Sequence, residues 1–237
     1  MTNLQNPAGW PEDFCGTVRL FPLPNLILFP HVVQPLHIFE PRYCDLLQDA
    51  LVGDKLIAMA LLEKGWEQQY QCQPRIASTI CIGKILSHSP SEDGRHNILL
   101  VGAKRARIRA EIESCTAYRQ ATVDLLEDYY PPEETLGRPE LMTRLQGLFR
   151  QFVPEGLAAQ ESFKQLIGKQ LPLGILTDTI TFALSLPLTI KLQLLGEHNV
   201  DIRCRILTRC LEQKLAQKND EPCGLQPDDF PPHFSQN

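Results

Sequence analysis

The sequence lacks any run of about 18 apolar residues, so no segment reads as a membrane-spanning helix. Its first ten residues have neither a basic start nor an apolar h-region, which argues against a secretory signal. A strong excess of one charge sign is also missing. Twenty-three Lys and Arg stand against 28 Asp and Glu, a formal net charge of −5. That mild acidity disfavours a dedicated polyanion binder. The motifs of common catalysts are absent as well. Gly83-Lys84 and Gly168-Lys169 are followed by Ile85 and Gln170, not by a hydroxyl that could hold magnesium, so there is no nucleotide-phosphate loop. No G-x-S-x-G, H-E-x-x-H or G-x-G-x-x-G occurs.

What is present is an ordinary globular composition, 43% hydrophobic and 22% charged, with length enough for one large domain or two small ones. Eight cysteines stand at 15, 44, 72, 81, 115, 204, 210 and 223. None forms a C-x-x-C pair, so the spacing of zinc ribbons and redox sites is missing. With no export signal, they read as reduced thiols in a cytoplasmic protein, acting as small core residues.

Along the chain, residues 1–16 read as a flexible lead-in. The stretch from Val18 to Pro30 is short apolar runs cut by prolines, read as two strands joined by a Pro24-Asn25 turn. Pro41 suits the first position of a helix whose apolar face is Tyr43, Leu46, Leu47, Ala50 and Leu51, ended by Gly53. Strands are expected at 56–62, 79–86, 96–101, 105–112 and 118–126, with Asp93-Gly94 turning a hairpin. Tyr129-Tyr130-Pro131-Pro132 marks a boundary, after which the apolar period changes from two to about 3.6. Helical stripes follow at 141–152, 163–167 and 175–184, then at about 188–195 and 200–216. The expected organisation is a β-rich part over 17–130, a helical bundle over 131–218 and a flexible tail over 219–237.

Three constellations invite chemistry. His31 and His37 lie near Glu40, but no third metal ligand has the right spacing, so no metal is expected. Cys81 with His88, or Cys44 with His37, leaves a Cys–His hydrolase open as a third reading. Arg105, Arg107 and Arg109, with Arg119 from the next strand, form an alternating basic face. Such a face could take phosphate, giving a nucleic-acid-binding alternative; cross-strand Asp124, Glu111 and Glu113 argue for a solvated sheet instead. The proline-bounded segments near 21–30 leave sheet edges and a groove suited to capturing an extended chain.

Leu20-Phe21-Pro22-Leu23-Pro24-Asn25-Leu26-Ile27-Leu28-Phe29-Pro30, followed by Pro35-Leu36-His37-Ile38-Phe39-Glu40-Pro41-Arg42-Tyr43, resembles the opening of the Lon amino-terminal (substrate-binding) domain family. Ile82-Gly83-Lys84-Ile85, Asp93-Gly94, Val101-Gly102 with Arg105, Tyr118, and Leu192-Gln193-Leu194-Leu195 with Arg203 follow in the same order. Ala106 departs from the pattern, standing where the family often has an aromatic. The resemblance covers about 17–212. It implies an α+β fold: an antiparallel β pseudobarrel, PUA-like, with one embedded helix, then an α-helical bundle. It also implies a non-enzymatic module that binds unfolded polypeptide or a partner protein. The ATPase and Ser–Lys protease motifs of full-length Lon are absent here, so a stand-alone protein is expected, with a separate ATPase or protease as a further partner. No cofactor and no membrane are expected. The candidate binding surface is Asn25, Leu26, Phe29, His31, His37, Phe39, Glu40, Arg42 and Tyr43.

Overall fold

The computed structural model describes residues 10–69, 73–153 and 171–220. The described residues divide into two compact units. Of the described residues, the first unit runs through Glu127 and takes in Pro187–Gly196; the second holds those of Asp128–Leu186 and those from Glu197 to Asp220. The period change near 131 does not register this return of Pro187–Gly196 to the first unit.

The first unit is built on six strands: β1 (Thr17–Leu23), β2 (Val33–Ile38), β3 (Leu56–Leu61), β4 (Thr79–Pro90), β5 (His96–Ile112) and β6 (Gln120–Leu126). Five of them close on themselves, through the pairs β1–β3, β3–β4, β4–β5, β5–β6 and β6–β1. Four of these pairs are antiparallel, and β1–β3 is parallel. The parallel pair is the departure from the antiparallel pseudobarrel that the resemblance implies. It is possible because helix α1 (Pro41–Val52) lies in the connection and gives the chain room to cross back.

Ten core side chains include Ala58, Ala60, Ala106 and Ala121 beside Val18, Leu20, Leu56, Ile80, Ile82 and Val123. Four alanines among ten suit the narrow bore of a five-stranded ring. Ala106 is completely buried within this cluster. Trp10 and Phe14, their rings 4.8 Å apart, pack against this cluster, so the end of the expected loose lead-in is tied down.

Helix α1 starts at Pro41 and buries Tyr43, Leu46, Leu47 and Ala50. It packs on β1 and β3, with the rings of Phe21 and Tyr43 4.3 Å apart. Leu26–Phe29 is not the second strand expected there. Ile27, Leu28 and Phe29 are apolar for burial, not for ladder pairing.

The two strands expected at 96–101 and 105–112 are one strand, β5, continuous through Gly102. β2 pairs with its first part, from His96 to Val101, and β6 with its second, from Arg105 to Ile112. β4 runs along the other edge, and a tight tip carries Gly94 at φ +79°.

Helix α4 (Leu188–Gly196) completes the unit by packing on β4 and β5. The second unit holds α2 (Arg138–Arg150), α3 (Leu173–Ala183) and α5 (Val200–Asp220). α5 packs on both α2 and α3, burying Cys204, Leu207 and Leu211. It runs to Asp220, past the expected start of the tail at 219. The stripe expected at 163–167 lies outside the described residues, as does the rest of that tail.

Candidate functional site

Beyond the closed ring, β2, the first part of β5 and the second part of β4 form a three-stranded wing. Alternation sends Gln34, Leu36 and Ile38 of β2 into the core and Val33, Pro35 and His37 to the opposite face. Register places Leu99 beside Pro35 on one side and Ser87 on the other. A register shift between Ile85 and Ser87 turns Leu86 outward next to them. Phe39 follows the strand, its ring 5.9 Å from that of His37. The result is an apolar sheet face. Val33 is 45% exposed, Phe39 42%, Leu86 53% and Leu99 39%. Clustered exposure of this kind marks interaction surfaces, whereas single exposed apolar residues do not.

A second feature is a cleft of about 520 Å³ whose lining includes Pro22, Arg42, Tyr43, Glu111, Tyr118 and Arg119. Arg42, Glu111 and Arg119 in its lining are ion-paired. Arg42 pairs with Glu40 at 2.8 Å and lies over the Tyr43 ring. Arg119 donates to both oxygens of Glu111 and to the Pro74 carbonyl. Tyr118 donates to Asp49 Oδ2 at 2.5 Å.

The residues singled out from sequence do not form one surface. Phe29 and Tyr43 are core side chains. Arg42 and Tyr43 edge the cleft. His37 and Phe39 belong to the wing, where His37 Nδ1 bonds Asn97 Oδ1 at 2.8 Å. Glu40 pairs with Arg42 and makes no side-chain cap to α1. His31 is half-buried in a left-handed turn at φ +65°, Asn25 is exposed and Leu26 half-buried. Sequence reasoning missed Val33, Leu86 and Leu99. Their signal is the apolar doublet: Val32-Val33, Ile85-Leu86 and Leu99-Leu100 each put one member on the far face of a strand.

The arginine face does not exist as one face. Arg105 is 2% exposed, and its Nε donates to the Leu195 carbonyl in α4 at 3.0 Å. Arg109 pairs with Asp124, and Arg119 with Glu111. Arg107 is exposed, with Asp124 as its register partner on β6. The acidic partners considered from sequence are in place, and a phosphate backbone would have to displace them.

Neither proposed Cys–His pair is assembled. His88 Nε2 bonds His96 Nδ1 at 3.0 Å, and His37 bonds Asn97. Burial, helped by His96, pushes the His88 pKa down. Cys81 is fully buried, and burial with Asp45 raises the Cys44 thiol pKa, away from the reactive thiolate. The six described cysteines are free thiols, Cys81 and Cys204 buried and Cys15 and Cys115 exposed. Cys72 and Cys223 lie outside the described residues. Among the described residues, no cluster of three or more His, Cys, Asp or Glu is placed to hold a metal, and no helix is long and apolar enough to cross a membrane.

The arrangement has counterparts. The N-terminal domain of Mycobacterium avium complex Lon protease superposes with a TM-score of 0.64 at 20% identity, over 83% of this chain and 98% of that one. A Lon N-terminal domain protein from Xanthomonas campestris gives 0.56 at 22% identity, over 84% and 97%. In sequence, the Lon protease of Desulfosudis oleivorans is 24% identical over 208 residues, 87% of this chain and 25% of its own length. That of Azospirillum brasilense is 28% identical over 210 residues, 86% and 24%. The chain thus spans about a quarter of the curated relatives it matches. The family model for the ATP-dependent protease La (LON) substrate-binding domain matches residues 17–213, and with that the chain belongs to the Lon substrate-binding domain family.

Proposed function

We propose that this chain binds unfolded polypeptide through the apolar outer face of the β2–β5–β4 wing, with no bond-making chemistry of its own. The observation that carries the reading is the exposure of Val33, Leu86 and Leu99 on the outer face of the paired strands, with Phe39 exposed just past the end of β2. A core residue placed there would be wasted; a surface for apolar side chains would not. Membership of a substrate-binding family supports polypeptide as the occupant. Membership of this family further supports an ATPase or protease as its working partner, in the cytoplasm.

The test is titration of a permanently unfolded protein, reduced and carboxymethylated α-lactalbumin, followed by fluorescence anisotropy. Leu99→Asp and Leu86→Asp each place a charge on the face and are expected to weaken binding about tenfold or more, a loss of about 1.4 kcal/mol. Because both side chains point outward, stability should change by only about 0.5 kcal/mol. Unchanged binding in both folded variants would remove the wing from consideration.

A further inference from the structure

We infer that the occupant is read through its side chains on the apolar face and not by strand addition along the outer edge of β2. The direction in which the bound backbone runs then makes no difference. This rests on the polypeptide-binding reading above.

Among the described residues, β2 pairs on one side only, with β5, and so ends the sheet. An end strand is the usual place for an extended peptide to add. Which backbone groups it offers follows from the ladder. Gly102 N–H donates to the Val32 carbonyl at 2.9 Å. Alternation then turns the backbone of Gln34, Leu36 and Ile38 toward β5, and that of Val33, Pro35 and His37 toward the outer edge.

The central residue of those three is a proline, with no N–H to give. Its carbonyl is already engaged, accepting from Gln34 Nε2 at 2.7 Å. Gln34 is only 8% exposed and occupies a core-facing position where an apolar side chain would be ordinary. A buried amide is costly unless bonded, and this one is bonded to the edge carbonyl. Val33 and His37, the remaining outward residues, are four positions apart, about 13 Å of strand. A peptide added there would meet a gap at its centre. The face beside it, with Val33, Phe39, Leu86 and Leu99, imposes no such backbone demand.

The experiment uses the full chain and three fluorescein-labelled peptides of ten residues, rich in Phe and Leu. One is the parent; one has alternate amides replaced by esters, which removes N–H donors; one has the same residues in reverse order. All three should bind with dissociation constants within about threefold, and Leu99→Asp should weaken all three alike. Pro35→Ala, which restores an edge donor, should leave the parent peptide's affinity unchanged. A larger loss on ester replacement or reversal, or a gain with Pro35→Ala, overturns the inference while leaving polypeptide binding intact. Failure of the parent peptide to bind at all overturns both.

Discussion

Arg203→Met is expected to lower the stability of the helical unit by about 3–5 kcal/mol, the range for a buried ion pair that loses one partner. The Arg203 side chain is completely buried on α5, and two carboxylates face it. Nη1 and Nη2 donate to Asp128 Oδ1 and Oδ2 at 3.0 and 2.8 Å, and Nη1 also donates to the Glu197 carbonyl. Nε lies 3.3 Å from Oδ1 of Asp178, itself 1% exposed. Burial alone would push the guanidinium pKa down; Asp178, then Asp128, outweigh it and hold it above its ordinary range. Methionine matches the bulk and removes the charge, leaving Asp178 buried without its counter-ion. Gly174 shows how tightly the group is enclosed, since a Cβ there would lie 2.4 Å from Asp128 Oδ2 and 2.9 Å from Arg203 Nη2. Arg203→Lys should recover little, because a point charge cannot replace a fork shared by two carboxylates. Urea denaturation, with hydrogen exchange of α3 and α5 amides, measures the loss. A drop below about 1 kcal/mol would show the network to be dispensable.

Gly102→Ala is the second large effect, expected at or above the ~3 kcal/mol upper end of overpacking costs. The reason is contact, not backbone conformation. An added Cβ would sit 2.0 Å from the Phe29 carbonyl oxygen, 2.7 Å from its carbon and 3.1 Å from Pro30 Cα. None of these is a side-chain end that could swing aside. The same crossing is tied by two hydrogen bonds, His31 N–H to the Gly102 carbonyl and Gly102 N–H to the Val32 carbonyl. Any shift that relieves the clash strains both. Gly147, in α2, has nothing within 4 Å of its added Cβ. Gly147→Ala should therefore stabilise by about 0.5–1 kcal/mol. Thermal melts of the two variants side by side provide the check, and equal melting temperatures would refute the contact argument.

Local rules carried the parts of the fold that depend on neighbours in sequence. Pro41 opens α1 by a missing N–H, and the Gly53 N–H closes it on the Asp49 carbonyl, both effects of neighbours in sequence. Asp93-Gly94 turns its hairpin for the same reason. What sequence could not carry was pairing at a distance. Nothing in Thr17–Leu23 says that it will lie parallel to Leu56–Leu61, because that depends on where α1 packs. Nothing in the alternation after Gly102 says that Arg105 faces a helix some 90 residues onward while Arg107 faces solvent. Alternation assigned all three arginines to one side; the packing of α4 and the register shift after Ile108 gave them different surroundings.

The candidate site shows the same division. Phe39 could be singled out because it falls in the stretch from Pro35 to Tyr43 that carries the family resemblance. Val33, Leu86 and Leu99 could not, because an apolar residue in a strand is ordinarily read as core. Their outward direction depends on register and on the irregularity at Leu86.

The return of Pro187–Gly196 to the strands has a practical consequence for dissecting the protein. A shortened chain stopping near residue 130 would keep every strand but lose the carbonyl that receives the Arg105 guanidinium. It would also uncover the ground where Leu194 and Leu195 are buried. The compact first unit is therefore discontinuous in sequence, and splicing 187–196 back through a short artificial bridge is the rational way to isolate it.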